Sequence, residues 1–288
     1  MIRESASLTD AVQISHPTTV EEVVDVLAER PDARCLAGGT DLMVEINFGL
    51  RHPREIVALR RVEELRTMTE TWIGAGVTHA RLEQSPWPAL SEAAHTVGSP
   101  QIRNAGTIGG NIATASPAGD TLPFLAAADA LIVTRSKHLG RREIPWDKFF
   151  VGVKKTALEP GEIIEGVRLP DKAPARQGFS KVGPRSAMVI AIVSACVLRY
   201  ADGRTRVALG AVAPTVIRAR RAEEMISAEP NPSAAALTEF QRLVSEEACP
   251  ITDHRSTERY RRHAVGVVAR RIRSWSDCCE VHGERQDG

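Results

Sequence analysis

The chain has 288 residues, 43% hydrophobic and 25% charged, which is typical of globular proteins with two or three domains. Lys+Arg 37 nearly balance Asp+Glu 36, so no overall basic field favours a nucleic-acid partner. No apolar run reaches the roughly 18 residues that a membrane span needs, and residues 1–13 lack the basic and then apolar order of a secretory signal. We therefore expect a cytoplasmic protein without a membrane span.

Five cysteines, at positions 35, 196, 249, 278 and 279, form no CxxC pair and no four-ligand set. The sequence therefore predicts no metal site and no iron–sulfur cluster within this chain. Cys278 and Cys279 are adjacent in a polar tail, where incidental thiols and a redox role are the two interpretations. The other three cysteines are expected to be small buried hydrophobic residues.

Residues 1–60 are predicted to form a small α+β unit. Thr18–Glu21 has the capping-box pattern, and valines and a leucine follow it at helical spacing. Residues 34–37 read as a short strand that leads into a glycine turn within Leu36–Met43, LAGGTDLM. A helix over 42–48 and a strand over 55–59 complete the unit.

Residues 61–172 are predicted to form a second α+β unit. A strand is expected over 71–77, and Thr78 is placed to cap the helix that follows it. A second helix, Pro88–Val97, precedes the glycine-rich segment Asn104–Asp129. Further strands are predicted over 130–134, 144–150 and 163–169.

The segment Asn104–Asp129, NAGTIGGNIATASPAGDTLPFLAAAD, is rich in small residues and uncharged before Asp120. Gly109 and Gly110 leave room for a ligand against the backbone, and their N–H groups are expected to face an anion. A valine at either glycine is therefore predicted to give a soluble protein that lacks the ligand. Asp120 is expected to cap a helix that opens with Pro123.

The two Gly-Gly turns, at 38–39 and 109–110, each carry a threonine. Together they suggest two backbone cradles on one dinucleotide diphosphate in a cleft between the two units, although each could instead be a simple tight turn. The chain has no GxGxxG, GxxxxGK[ST], GxSxG or HExxH motif. Because no acid–base set stands out, and histidines such as His79 can be surface or structural residues, we assign no catalytic residue and expect a bound cofactor to carry the chemistry.

Residues 173–276 are predicted to form a third, C-terminal unit. The runs 193–200 and 206–212, joined by Ala-Asp-Gly, indicate a β-hairpin, and two helices follow. Ser256 is expected to cap a last helix with Tyr260 on its apolar face. Its arginines, Arg261 among them, lie largely off that face, either solvated or docked on an acidic partner. The tail 277–288 is expected to be disordered.

Three stretches are similar to a known family: LAGGTDLMVEI at 36–46, IRNAGTIGGNIATASPAGDTLPFLAAADA at 102–130 and GFSKVGPR at 178–185. They resemble the FAD-binding (medium) subunit of the molybdenum hydroxylases, a group that includes xanthine dehydrogenase and aerobic carbon monoxide dehydrogenase. The resemblance extends to VALGAVAP at 207–214. It implies an α+β chain with a two-lobed FAD-binding fold of the vanillyl-alcohol-oxidase type, followed by a C-terminal α/β domain of the carbon monoxide dehydrogenase flavoprotein type.

The resemblance also implies non-covalent FAD in the cleft. Asp120 would accept a hydrogen bond from a sugar-chain hydroxyl in addition to any capping role. Lys181 would stabilise negative charge on the cofactor, whereas without the surrounding motif it reads as a surface lysine. The implied contacts are Leu36, Ala37, Gly38, Gly39, Thr40, Asp41, Leu42, Met43, Val97, Thr107, Ile108, Gly109, Gly110, Asn111, Thr114, Asp120, Ile164 and Lys181.

The function that the resemblance implies is electron transfer within a complex. A small subunit would hold [2Fe–2S] clusters and a large subunit the molybdenum cofactor, in a dimer of heterotrimers. The FAD of this chain would pass electrons to NAD⁺, oxygen or another acceptor. Two alternatives stay open: a free-standing flavin oxidase of the same fold, and a binding module that has lost FAD.

Overall fold

The computed structural model describes residues 12–272, and the predictions for 277–288, including Cys278 and Cys279, lie outside this range. Strands and helices alternate irregularly, which confirms the α+β class. The strands are β1 (Gln13–Ser15), β2 (Arg34–Leu36), β3 (Glu55–Ala58), β4 (Trp72–Gly74), β5 (Leu131–Ser136), β6 (Gly140–Pro145), β7 (Phe150–Gly152), β8 (Lys155–Thr156), β9 (Ile163–Arg168), β10 (Arg176–Val182), β11 (Val193–Arg199), β12 (Thr205–Gly210) and β13 (Ile217–Arg218). The α-helices are α1 (Val20–Glu29), α2 (Leu42–Asn47), α3 (His79–Leu82), α4 (Pro88–His95), α5 (Pro100–Ala105), α6 (Ile108–Thr114), α7 (Leu122–Ala127), α8 (Trp146–Phe149), α9 (Arg220–Ser227), α10 (Ala234–Glu247) and α11 (Glu258–Arg271).

The first sheet is small and parallel, in the order β1-β3-β2. Helix α1 crosses between β1 and β2 and buries Val20, Val23, Val24 and Leu27. Its capping box lies one residue later than predicted: the Thr19 hydroxyl accepts from the Glu22 N–H at 3.1 Å, and the Glu22 carboxylate accepts from the Thr18 N–H at 2.6 Å. Because the strands are parallel, the segments after β2 and β3 emerge at one edge of the sheet.

The second sheet is antiparallel, in the order β4-β9-β5-β6. Its buried face shares one hydrophobic core with α1, with the helices α4, α6 and α7, and with part of the C-terminal unit. The predicted strand over 144–150 is wrong in its second half, because Trp146–Phe149 is helix α8. Trp146 and Phe149, three residues apart, are both buried on the same helical face.

The third sheet is antiparallel, in the order β10-β11-β12-β13, and it is covered on both faces. Alternate residues of β11, such as Ala195 and Val197, pack under α9, α10 and α11. The residues between them, Cys196 and Leu198, join the larger core on the side of α4 and α7. Burial on both faces explains why β11 reads in the sequence as a continuous apolar run.

Helix α11 differs from its prediction in three positions. Thr257 is the N-cap, and its hydroxyl accepts from the Tyr260 N–H at 3.2 Å. Ser256 instead donates its N–H to Asp253 in the preceding turn. Tyr260 is exposed, and Arg261 takes the inward position, where it pairs with Asp253 and donates to the Ala211 carbonyl at 3.0 Å.

The two halves of the chain are joined by an ion cluster around the buried Arg218. Arg218 on β13, with only 1% of its side chain exposed, pairs with Glu223 on α9 and with Asp129 after α7. It also donates to the Ala126 carbonyl at 3.2 Å. Each polar group of Arg218 therefore finds a partner in a place where an unpaired charge would be costly.

Candidate functional site

The two glycine segments, Leu36–Asp41 and Gly106–Thr114, meet along one cleft of about 770 Å³, within the range of small-molecule pockets. A Cβ on Gly38 would lie 1.8 Å from the Ala105 carbonyl oxygen, so the segments touch through bare backbone. The Thr114 hydroxyl donates to the Asp41 carboxylate at 2.9 Å and ties their other ends together.

The first segment presents main-chain donors to the cleft. The N–H groups of Gly38, Gly39 and Thr40 have no main-chain acceptor among residues 12–272. Gly39 has φ +73°, a conformation that favours glycine, and all three residues line the cleft. Successive N–H groups around a residue in the left-handed region form a concavity that suits an anion.

The second segment does not present such donors, which corrects the prediction for Gly109 and Gly110. These residues lie in the first turn of helix α6, whose N-cap is Thr107. The Gly109 N–H donates to the Ala75 carbonyl at 2.8 Å, and the Gly110 N–H donates to the Thr107 hydroxyl at 3.1 Å. The N–H of Ile108 is also committed, to the Val77 carbonyl at 3.0 Å.

The two glycines of α6 also differ from each other. A Cβ on Gly109 would lie 2.6 Å from the Ala75 Cβ, so this glycine allows α6 to pack on the end of β4. Gly110 is exposed towards the cleft, and a Cβ there would meet only the Thr107 hydroxyl at 3.3 Å. Only Gly110 therefore leaves open space where a ligand could lie.

Most of the residues that the resemblance implies do line the cleft. They are Leu36, Ala37, Gly38, Gly39, Thr40, Asp41, Leu42, Val97, Thr107, Gly109, Gly110, Asn111, Thr114 and Ile164. Four of the implied residues do not line it. Ile108 is fully buried in the core, and Met43 packs behind Gly39. The other two, Asp120 and Lys181, form a separate buried pair.

Asp120 and Lys181 form a buried ion pair with an N–O distance of 2.6 Å. Lys181 also donates to the carbonyls of Thr96 and Val189, so it is not a surface lysine. Burial raises the pKa of Asp120 to about 6, although Lys181 acts in the opposite direction. Asp120 does not cap α7, which has Thr121 at its N-cap position, and its Oδ1 has no partner among the described residues.

His79 lies under the junction of the two segments and is 3% exposed. Its main-chain N–H donates to the Gly106 carbonyl at 3.0 Å, and its ring lies beside Gly106 on the side that also faces the Thr40 hydroxyl. Burial, helped by the positive charge of Arg103, lowers the pKa of His79 to about 4. The ring is therefore neutral near pH 7, and it serves the packing of the cleft wall.

Five cations line the cleft, and the sequence predicted none of them: Arg34, Arg51, Arg60, Arg66 and Lys154. Arg60 could have been found, because it follows β3 at the sheet edge where the parallel neighbour β2 delivers the first glycine segment. Lys154 lies in the β7–β8 turn, and no sequence signal places that turn at the cleft.

The described part of the chain holds no group of three or more His, Cys, Asp or Glu side chains arranged for a metal ion. Within the same part, no helix is long and apolar enough to cross a membrane.

Two parts of the chain match known protein families. Residues 10–172 match the family model of the FAD binding domain in molybdopterin dehydrogenase, and residues 179–275 match that of the carbon monoxide dehydrogenase flavoprotein C-terminal domain. The chain is 29% identical over 279 residues to a putative xanthine dehydrogenase FAD-binding subunit of Escherichia coli, covering 91% of this chain and 95% of the relative. It is 34% identical over 216 residues to the carbon monoxide dehydrogenase medium chain of Hydrogenophaga pseudoflava, covering 70% and 75%.

Solved structures agree with these matches. A carbon monoxide dehydrogenase chain from Hydrogenophaga pseudoflava superposes with a TM-score of 0.82 at 31% identity, over 90% of this chain and 95% of that chain. A quinoline 2-oxidoreductase chain from Pseudomonas putida 86 gives a TM-score of 0.84 at 29% identity, over 91% and 95%. The two-domain arrangement expected from the resemblance is thereby confirmed.

Proposed function

The chain belongs to the FAD-binding medium subunits of the molybdenum hydroxylases, and on that premise we propose that it is the electron-transfer subunit of such a complex. The observation that carries the proposal is the first glycine segment: Gly38, Gly39 and Thr40 line the cleft, and their N–H groups have no main-chain acceptor in the described part of the chain. An array of main-chain donors of this kind suits a diphosphate.

The residues around the cleft fit FAD in further respects. The cleft volume of about 770 Å³ is sufficient for much of a dinucleotide. Apolar side chains, among them Val97 and Ile164, provide surfaces for flat rings, and the hydroxyl of Thr40 and the amide of Asn111 provide hydrogen-bonding groups. The eighteen contacts implied by the resemblance remain a proposal: fourteen of these residues line the cleft, and Met43, Ile108, Asp120 and Lys181 do not.

FAD, when bound, would supply two-electron redox chemistry. The protein would hold the diphosphate at Gly38–Thr40 and leave space for the cofactor over Gly110. The imidazole of His79, under these segments, is kept neutral by burial. We assign no acid–base residue to this chain, since the substrate would be oxidised on a partner.

The remaining parts of the proposal concern the complex. An iron–sulfur subunit with [2Fe–2S] clusters would deliver electrons, a molybdopterin subunit would oxidise the substrate, and NAD⁺, oxygen or another acceptor would receive the electrons. We propose a dimer of heterotrimers in the cytoplasm. The bounds 1–60, 61–172 and 173–276 for the three units also remain proposals, because the large core runs across the first two and into the third.

The test is purification of the chain with its natural partners. We expect flavin absorbance that is released by denaturation, as for a non-covalent cofactor, together with copurifying iron–sulfur and molybdenum subunits. A yellow chain without partners would favour the free-standing oxidase, and a colourless one would refute the proposal.

A variant pair tests the position of the cofactor. Gly110→Val adds a β-branched side chain in the open space of the cleft, and we expect folded protein without flavin. Ala235→Val places the same side chain at an exposed position of α10 and should retain flavin. Equal flavin contents in the two variants would contradict the assignment.

A further inference from the structure

The carboxylates that line the cleft are almost all engaged by other groups. Glu45 pairs with Arg51, and Glu162 is held by Arg142 at 2.6 Å, by the Thr134 hydroxyl and by the Glu159 N–H. Asp41 accepts the Thr114 hydroxyl and has no cationic partner among residues 12–272. The negative charge that remains to oppose a bound anion is therefore that of Asp41.

The cations of the cleft are less completely engaged. Two of them have carboxylate partners, since Arg51 pairs with Glu45 and Arg66 pairs with Glu63 at 2.8 Å. Arg34, Arg60 and Lys154 line the same cleft and form no ion pair within the described chain. Three such cations against the single carboxylate of Asp41 leave an excess of two positive charges, which would match the roughly two negative charges of a dinucleotide diphosphate.

Lys154 is placed at the cleft by a backbone conformation that a lysine rarely adopts. Its φ is +53°, in the left-handed region, at the turn between β7 and β8. Its N–H donates to the carbonyl of Ala115, the residue that ends α6, at 3.2 Å. The turn is thereby fixed to the helix of the second glycine segment, and strain of this kind often accompanies a functional position.

Arg60 is placed by the first sheet. It lies in the helical turn Leu59–Arg61 directly after β3, which pairs with β2 in parallel. Residue 60 therefore stands beside the glycine segment whose N–H groups have no main-chain acceptor in the described chain, on a different element from the one that carries Lys154. Each of the two cations has an identical neighbour, Arg61 or Lys155, that is exposed and does not line the cleft.

We propose that Arg60 and Lys154 are binding residues for the diphosphate of the dinucleotide, and that they supply the charge neutralisation which the second glycine segment, with its N–H groups committed, does not. This inference rests on the proposed function, since it specifies how the same cleft holds FAD. The diphosphate is then held by the main-chain N–H groups of one glycine segment and by two side-chain cations, and not by the N–H groups of both segments.

The experiment compares matched neighbours. FAD is removed from the purified chain, and its rebinding is followed by flavin fluorescence for wild type, Arg60→Gln, Arg61→Gln, Lys154→Gln and Lys155→Gln. We expect about a tenfold loss of FAD affinity in each cleft variant, the size of one charge-assisted contact, and less than about a twofold change in each neighbour variant. The loss should shrink when salt is raised to about 1 M, because salt screens exposed charges.

A fifth variant separates charge from strain. Lys154→Gly removes the cation and the unfavourable φ together, so it should lose as much FAD affinity as Lys154→Gln. Affinities of the cleft variants equal to those of their neighbours, in a wild type that binds FAD, would overturn the roles of Arg60 and Lys154 alone. A wild type that binds no FAD would overturn the proposed function as well. Circular dichroism of each variant confirms that the fold is retained.

Discussion

The two glycine segments look alike in the sequence and differ in the structure. Each has a Gly-Gly pair next to a threonine, yet residues 36–41 form an open turn and residues 106–114 form a helix start. In the open turn the N–H groups remain available within the described chain, whereas in the helix the Thr107 cap and the carbonyls of Ala75 and Val77, which follow β4, accept them. The comparison teaches that small residues mark close approach of backbones, and that the hydrogen-bond pattern decides whether a ligand or the protein itself occupies the space.

The largest expected losses of stability come from substituting the glycine in each segment that packs directly against another part of the chain. Gly38→Ala would place a Cβ 1.8 Å from the Ala105 carbonyl, and Gly109→Ala would place one 2.6 Å from the Ala75 Cβ. No rotamer can move a Cβ, so we expect each to lower the free energy of unfolding by about 3 kcal/mol or more. Urea unfolding of the flavin-free protein measures this. Wild-type stability in either variant would mean that the segments do not pack as described.

The next effect is a pH dependence of stability that comes from His79, which lies under the contact between the two glycine segments. Its pKa is lowered from 6.5 to about 4 in the folded chain, so the unfolded chain takes up the proton first as pH falls. The stabilising contribution is complete above the unfolded value and is lost as pH falls towards the folded value. Between about pH 7 and about pH 4.5 it should amount to roughly 2.5 kcal/mol.

The measurement compares the pH dependence of urea unfolding for wild type and His79→Gln. The variant should lack this part of the acid destabilisation, whatever its stability at neutral pH. Parallel pH profiles would show that His79 is not the titrating group. His95→Gln is the control, since His95 is exposed.

A smaller effect is expected at the bond that ties the segments together. Thr114→Val removes the hydroxyl that donates to Asp41 at 2.9 Å, and we expect a loss of about 1 kcal/mol in the free energy of unfolding. A double-mutant cycle with Asp41→Asn isolates the coupling. Additive effects of the two substitutions would show that the bond contributes nothing.

The smallest effects should have opposite signs in the two segments. Gly110→Ala, in a helical turn where the added Cβ would meet only the Thr107 hydroxyl at 3.3 Å, should raise the stability of the flavin-free protein by about 0.5 kcal/mol. Gly39→Ala, at φ +73°, should lower it by about 1 kcal/mol. Thermal unfolding of both variants decides. Stability changes of the same sign in both variants would contradict the assignment of a helical turn at Gly110 and an open turn at Gly39.

Much of the fold could be predicted from the sequence, because local signals and burial agreed. Thr78 caps α3 as predicted, and β11 and β12 form the predicted hairpin. The predictions failed where contacts with residues distant in the sequence determine the orientation of a side chain. Arg261 is inward because Asp253 and the Ala211 carbonyl satisfy its charge, and Asp120 is withdrawn from α7 because Lys181 reaches it from β10.

The sequence predicted which two segments line the cleft, but not which of their N–H groups and side chains are available to a ligand. Motif resemblance located Gly38–Thr40 and Thr107–Thr114, and both segments line the cleft. The commitment of the Gly109 N–H to the Ala75 carbonyl depends on the turn after β4, which is distant in the sequence, and no spacing rule reveals it. Lys154 reaches the cleft through a turn whose docking on Ala115 is equally non-local.

The ion cluster around the buried Arg218 has a consequence for dissecting the protein. Cutting the chain between the two matched family regions would leave Asp129 and the Ala126 carbonyl facing solvent without their guanidinium. It would also take Phe179, Leu198 and Tyr200 out of the core that supports α4 and α7. The flavin-binding half is thus not an autonomous module, and its C-terminal companion is a structural wall that any minimal fragment must carry.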